Sequence, residues 1–275
     1  MEELIVTERG VEILRYAYVP ETPVFESPKP YFHPMRSYAG DVVTAFRPHD
    51  HRWHKGLAMT ISHLSGQNFW GGGSYVREAG TYVDLPNNGT MRHEGFTEPG
   101  VEELTWHTQA GEHWVDETRT FEVAPGADSW TLRLATAITN VRGQDLVFGS
   151  PTTNGRPMAG YCGLFWRGPR SFEHGQIIAE KGDGPEMMGR ESRWLAYVGR
   201  HDEVDRASTL LFESDQPTTW FVRTTPFAAV NPSIAFDREV VLPPGETLRL
   251  SYRVTVADGA WDRDRIEEHL KSSES

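Results

Sequence analysis

A chain of 275 residues with 38% hydrophobic content carries enough apolar mass for one large all-β or α/β domain, or for two ordinary ones. Its 39 carboxylates against 27 Lys and Arg give a formal net charge of −12, which argues against a nucleic-acid backbone or an anionic membrane surface as partner and favours a neutral, polar small molecule. The single cysteine, Cys162, excludes an intramolecular disulfide framework and a thiolate-rich zinc site.

The N-terminus, Met1-Glu2-Glu3-Leu4-Ile5, is acidic where a secretory signal is basic, and no apolar run approaches the roughly 20 residues of a membrane span, so a cytoplasmic location is expected. Short runs rich in Val, Ile, Thr, Tyr, Phe and Trp follow along the chain, at 42–46, 56–62, 118–123, 130–139, 209–213, 219–224 and 248–256, and each predicts a strand. Over 130–139 the apolar residues alternate strictly with tolerant positions, the period of a half-buried antiparallel strand. Turn punctuation separates the runs: Pro86-Asn87-Asn88-Gly89, Pro125-Gly126-Ala127-Asp128 and Pro243-Pro244-Gly245-Glu246. The stretch 160–166 reads as a strand in which Cys162 is a small buried hydrophobe rather than a nucleophile, and 180–193 reads as a long surface loop. Helical spacing is confined to the tail, 262–270, where Ile266 and Leu270 lie four apart. The expected fold is all-β: one large antiparallel β-sandwich over residues 1–275 with a short C-terminal helix.

Chemistry concentrates in Arg47-Pro48-His49-Asp50-His51-Arg52-Trp53-His54-Lys55-Gly56, followed by His63 and Asn68-Phe69-Trp70-Gly71-Gly72-Gly73. Histidine gives, takes or ligates near neutral pH, and a soluble domain needs no such cluster in order to fold. On a strand His49 and His51 share a face, and His54 joins them only if the backbone turns at Arg52-Trp53. A His-x-His pair is also the first half of a cupin-type metal site, but the acid expected a few residues on is missing, since Lys55, Gly56 and Leu57 follow. The structural alternative has one histidine capping a turn and another stacking on Trp53. Further candidates are His33, His93, and the pair Glu117 and Arg119, which share a strand face as binding groups or as a plain ion pair. His107, His113, His174, His201 and His269 read as surface histidines. Trp70 beside the glycines, Trp166 with Arg167, and Trp220 with Arg223 and Asn231 combine aromatic faces with hydrogen-bonding groups, a combination that suits a carbohydrate.

Together these segments resemble one family, the methane oxygenase PmoA-like proteins. The matching residues are Tyr31-Phe32-His33-Pro34, Asp50 to Gly56, Asn68-Phe69-Trp70, His93, Glu117-Thr118-Arg119, Gly163-Leu164-Phe165-Trp166-Arg167, Trp194 with Tyr197, Trp220-Phe221-Val222-Arg223 and Asn231-Pro232. They cover nearly the whole chain in order. Two positions depart from the family pattern: Trp53 stands where a second histidine is common, and Lys55 where Arg is commoner. The resemblance implies the β-supersandwich of galactose mutarotases and a sugar substrate. It does not imply methane oxidation, which needs transmembrane helices.

The function expected is acid/base chemistry, namely epimerisation, elimination or hydrolysis, on a sugar or an oxidised sugar derivative. His51, His54, His93 and Glu117 are the catalytic candidates and must then line one pocket; His33, Trp70, Arg119, Tyr161, Arg167, Arg223 and Asn231 are the binding candidates. No cofactor is required. One alternative adds a divalent metal on His49, His51 and His93, with Glu117 as a further ligand. Another is a sugar-binding or regulatory domain without turnover. The expected partner is a small carbohydrate, with no nucleic acid and no membrane; the oligomeric state is left open.

Overall fold

Residues 1–273 are described by a computed structural model, in which the alternating runs of the sequence become strands. Strands β1 (Glu2–Glu8), β2 (Val11–Val19), β3 (Tyr31–Met35), β4 (Leu57–Thr60), β5 (His63–Leu64), β6 (Ser74–Val76) and β7 (Thr81–Val83) come first. Four long strands follow as a meander: β8 (Thr90–Glu98), β9 (Val101–His107), β10 (His113–Pro125) and β11 (Ser129–Asn140). Then come β12 (Leu146–Gly149), β13 (Gly163–Arg167), β14 (Gln176–Ala179), β15 (Gly182–Asp183), β16 (Glu191–Arg200), β17 (Ala207–Arg223), β18 (Ala229–Ser233), β19 (Val240–Leu242), β20 (Thr247–Asp258) and the helix α1 (Arg263–Ser273). No helix among the described residues is long and apolar enough to cross a membrane.

One fifteen-stranded sheet dominates, in the order β1-β2-β3-β4-β13-β18-β17-β20-β11-β10-β9-β8, with β14, β15 and β16 branching from β17. Its neighbours pair antiparallel, as β11 does with β10 and β20 along its whole length. The sheet curls over on itself. Tyr16 on β2 and Phe121 on β10, far apart in strand order, bring their ring centroids to 4.8 Å, and Phe32 on β3 approaches Phe121 at 5.6 Å. Two layers thus close on one core, the expected β-sandwich with its short C-terminal helix. Trp106, Trp130, Trp166 and Trp220 are fully buried in that core. Along β11 the buried residues Trp130, Leu132, Leu134, Thr136, Ile138 and Asn140 fall at every second position, as a strand with one face on the core requires.

Several expectations need adjustment. Residues 209–213 and 219–224 are not two strands: all but Thr224 belong to the single β17, whose exposed middle lacks an apolar face and so reads as a break. Residues 42–46 form no strand, because their pairing is limited to the isolated bridges Arg36 with Val42 and Phe46 with Lys55 and to single backbone bonds such as Ala45 N–H to the Arg167 carbonyl at 2.9 Å. The turn at 125–128 does join β10 to β11, closed by the Gly126 N–H to Ser129 O bond of 2.8 Å. The one at 86–89 joins no hairpin, since β7 pairs with β6 and β8 with β9. Within 180–193 lie β15 and a 3₁₀ turn, Pro185–Met187, pinned by buried Met187, so the stretch is only partly loop. Asp262 precedes the helix and caps it, accepting the Arg265 N–H at 2.9 Å; Ile266 then packs with Trp194, Leu211 and Trp261.

A buried polar network ties the layers together and corrects three sequence assignments. Glu117 is fully buried, and its carboxylate accepts from Arg119 Nε (2.8 Å) and Nη2 (3.0 Å), Trp106 Nε1 (2.8 Å) and Thr136 Oγ1 (2.7 Å). Arg119 Nη1 reaches across to the Tyr16 hydroxyl at 3.1 Å, and that hydroxyl donates to Glu102, which His93 Nδ1 also meets at 2.7 Å. Burial pushes the Glu102 carboxyl up, whereas Arg119, though burial works against its charge, is held protonated by Glu117, Tyr16 and Glu102. Glu117 and Arg119 are therefore a sealed ion pair between layers, and His93 belongs to the same network. Removing one partner of such a pair strands the other's charge, so Glu117→Ala should lower stability by about 3–5 kcal/mol in urea denaturation; a loss below about 1 kcal/mol would contradict the tie between layers.

Candidate functional site

The two-residue period of the strands that carry Trp166 and Trp220 inward also sends their neighbours outward. On β13, Leu164 and Trp166 enter the core while Phe165 lines a cavity and Arg167 backs it; on β17, Trp220 and Val222 enter the core while Phe221 and Arg223 line the same cavity. Loops and the short ribbon of β6 and β7 supply the rest of the wall, and the cavity volume is about 480 Å³, within the range of small-molecule sites. Eight aromatic rings line it, enough to cover both faces of a ring-shaped ligand.

The histidine cluster sits on its rim and floor because the backbone turns where His54 requires it to. The His54 N–H bonds to His51 O at 3.0 Å, and this tight turn through Arg52 and Trp53 stacks the two imidazoles at 4.6 Å and 20°. Trp53 folds over them and is seated by glycine: a Cβ on Gly71 or Gly72, both at positive φ, would come within 2.6–2.7 Å of the Trp53 side chain. Trp70 is held by Asn68, whose Oδ1 accepts from the Trp70 N–H (2.8 Å) and the Gly71 N–H (2.9 Å). Beneath it buried Lys29 donates to the carbonyls of Glu26 (3.1 Å), Ser27 (2.6 Å) and Trp70 (2.9 Å), three acceptors that use all three ammonium hydrogens. Lys55 bonds to Glu26 and, at 2.9 Å, to the Arg52 carbonyl, which makes it a support for the turn.

Hydrogen bonding assigns the two imidazoles opposite roles. Arg167 Nη1 lies 3.0 Å from His54 Nδ1, and a guanidinium has no acceptor, so that Nδ1 carries the lone pair and the proton sits on Nε2. Arg167 Nη2 also reaches Asp50 Oδ2 at 3.3 Å, and the same oxygen lies 3.0 Å from His51 Nδ1. Burial opposes the Asp50 charge, but His51 and Arg167 outweigh it and hold the carboxyl down at about 2. An ionised Asp50 can only accept, so His51 carries its proton on Nδ1 and leaves Nε2 as a free base. Burial lowers the His51 pKa, with Asp50 offsetting only part of the effect. Burial and then the cationic neighbours put His54 well below its usual value. At pH 7 the cavity thus presents one imidazole acceptor beside one imidazole donor.

Of the residues expected from sequence, His51, His54, Trp70, Tyr161 and Arg223 line this cavity, and Arg167 stands directly behind it with its guanidinium 3.8 Å from the Phe227 ring centre. The rest do not converge there. His93 and Glu117 lie in the interlayer network with Arg119, so the four catalytic candidates divide into two places. His33 stacks on Phe46 and bonds to Thr44 at 2.9 Å, and burial lowers its pKa to about 4. Asn231 is fully buried and spans the Cys162 N–H (2.9 Å) and the Leu164 carbonyl (2.7 Å), a strand-bridging role. The conditional metal set does not assemble, because His49 is exposed on the loop and His93 is in the other network; no group of three His, Cys, Asp or Glu among the described residues could hold a metal ion. Sequence reasoning missed Tyr82, Asp84, Arg156, Phe221 and Phe227 as cavity residues. For Phe221 the signal was present, since strand parity with Arg223 places both on one face.

A family model matches residues 3–271. The chain belongs to DUF6807, a family of unknown function. No curated protein matches it. Among solved structures, the GH36 alpha-galactosidase AgaA from Geobacillus stearothermophilus, in complex with raffinose, is similar at 16% identity and a TM-score of 0.38, over 82% of this chain and 30% of that one. The chain spans less than a third of that enzyme's length, and nothing about function follows from a likeness of this size.

The buried neutral state of His54 has a measurable consequence. Because its folded pKa lies below the usual 6.5, stability is fully present above pH 6.5 and is lost as pH falls below it, by up to about 1.4 kcal/mol per pH unit. His54→Gln removes the titration while keeping an acceptor for Arg167. Urea midpoints at pH 7 and pH 5 should therefore drop further in the wild type than in His54→Gln, and parallel drops would contradict a neutral, buried His54.

Proposed function

We propose that this chain is a carbohydrate-active enzyme performing acid/base chemistry on a sugar or an oxidised sugar derivative in the aromatic-lined cavity. The observation that carries the reading is the stacked pair His51 and His54 with opposite hydrogen-bonding roles. His51, through Nε2, withdraws a proton from a carbon next to a carbonyl or carboxylate. His54, a neutral donor through Nε2–H, bonds to the oxygen on which negative charge then develops. A neutral imidazole is suited to this because it donates without having to lose a charge to solvent. Reprotonation at the same carbon gives an epimer, whereas departure of a β-substituent gives an elimination product.

Proton abstraction is favoured over glycoside hydrolysis by what lines the wall. Hydrolases of the common kind flank the scissile bond with two carboxylates, and among the described residues Asp84 is the one carboxylate on the lining. Trp70 and Tyr161 line the cavity packed against each other, ring centroids 4.4 Å apart, and the ring surface they leave toward it suits the C–H side of a sugar ring. The resemblance to PmoA-like proteins points to the same substrate class, and we extend the proposal to kinship with them.

The test is deuterium exchange. Purified protein incubated in D₂O with a panel of aldoses, ketoses and uronates should place deuterium at one carbon of a substrate, read by NMR. His51→Gln should slow that exchange by on the order of 10²-fold or more while changing stability by no more than about 1 kcal/mol. Exchange that persists unchanged in folded His51→Gln would remove His51 from the chemistry; sugar binding without exchange in either form would make the chain a binding domain.

A further inference from the structure

Part of the cavity wall is cationic in a protein that is strongly acidic. Arg156 and Arg223 both line it, and neither has a carboxylate within ion-pair distance among the described residues. Arg156 instead donates to the Tyr82 hydroxyl, which lies 2.6 Å from the Tyr161 hydroxyl. Arg223 sits over the Phe221 ring, with 5.3 Å from its guanidinium carbon to the centroid. The two cations are close enough to repel: Arg223 has its pKa lowered first by burial and then by the charge of Arg156. Holding like charges together in a half-buried wall costs stability, and an anion is what relieves the cost.

We infer that Arg156 and Arg223 form a carboxylate subsite, so that the ligand of this cavity is a monoanionic acid sugar of the uronate type. The inference rests on the carbohydrate reading above and names its substrate class. Two arginines against one lining aspartate, Asp84, leave one positive charge, which a single carboxylate neutralises and a phosphate dianion overshoots. Guanidinium groups match a planar carboxylate through paired N–H donors, and Tyr82 and Tyr161 add hydroxyls at the same wall. The chain's net charge of −12 repels extended polyanions at long range, so a single small anion fits and an acidic polymer does not.

Trp53 and Trp70 line the cavity, so tryptophan fluorescence can follow binding to the intact chain. The probes are D-glucuronate and D-galacturonate, D-glucose and D-galactose, glucose 6-phosphate, and the pair benzoate and benzyl alcohol. A uronate should bind at least tenfold more tightly than its neutral parent, and benzoate more tightly than benzyl alcohol. Arg223→Gln and Arg156→Gln should each cost the acid probes on the order of tenfold in Kd, with folding checked by thermal melting and charge rescue by Arg223→Lys. Equal affinity for uronate and neutral sugar overturns the subsite and leaves the carbohydrate reading intact. Benzoate binding through the arginines with no sugar binding supports the subsite and overturns the carbohydrate reading. Preference for glucose 6-phosphate, or acid binding untouched by both arginine variants, overturns the subsite, and silence from every probe overturns both.

Discussion

Arg167 can only donate hydrogen bonds, and the chemistry assigned to the cavity follows from that restriction. Its guanidinium lies between His54 Nδ1 and Asp50, so one side chain forces a lone pair onto one imidazole and holds ionised the carboxylate that forces a proton onto the other. It stays in place because Trp166, its neighbour on β13, is anchored in the core and donates from Nε1 to the Val43 carbonyl at 2.9 Å. Stacked under Phe227, the guanidinium has little freedom to swing away. The site is thus set by a strand that the core already fixes, with the loop 47–56 folded down onto it.

The same parity explains how an apolar core and a cavity carrying charged groups share the same strands. Each wall strand spends alternate side chains on the core and on the ligand, so burying Trp166 and Trp220 orients Arg167 and Arg223. A one-residue slip in either strand would place an arginine in the core and a tryptophan in the cavity. The interlayer network plays the complementary part: Glu117, Arg119, Glu102 and Tyr16 fasten β9 and β10 to β2, which fixes the layers against each other at a distance from the cavity.

Much of the fold was legible because period-two burial is local. The run 130–139, the turn at 125–128 and the C-terminal helix each carry their signal within a dozen residues. What failed was non-local: 42–46 has strand composition, yet no neighbouring strand offers it a ladder. At the site, the cluster around His51 and His54 was readable from density of polar residues, and the turn at Arg52-Trp53 was the condition on which it depended. Glu117 and His93 misled for an equally physical reason. A Glu that ligates substrate and a Glu that ties two layers look alike in sequence, and the contact that decides between them, Arg119 to Tyr16, spans 103 residues along the chain. Tyr82, Asp84 and Arg156 come from loops and a short two-stranded ribbon, where no periodicity marks which side chains turn inward.

The two tautomers decide the chemistry of the cavity, and long-range ¹H–¹⁵N correlation NMR of the histidine side chains at pH 7 reads them without any knowledge of substrate. Neutral imidazoles protonated on Nδ1 at His51 and on Nε2 at His54 are the predicted result. The same tautomer at both positions, or a protonated His54, would contradict the paired acceptor and donor from which the proposed chemistry is built.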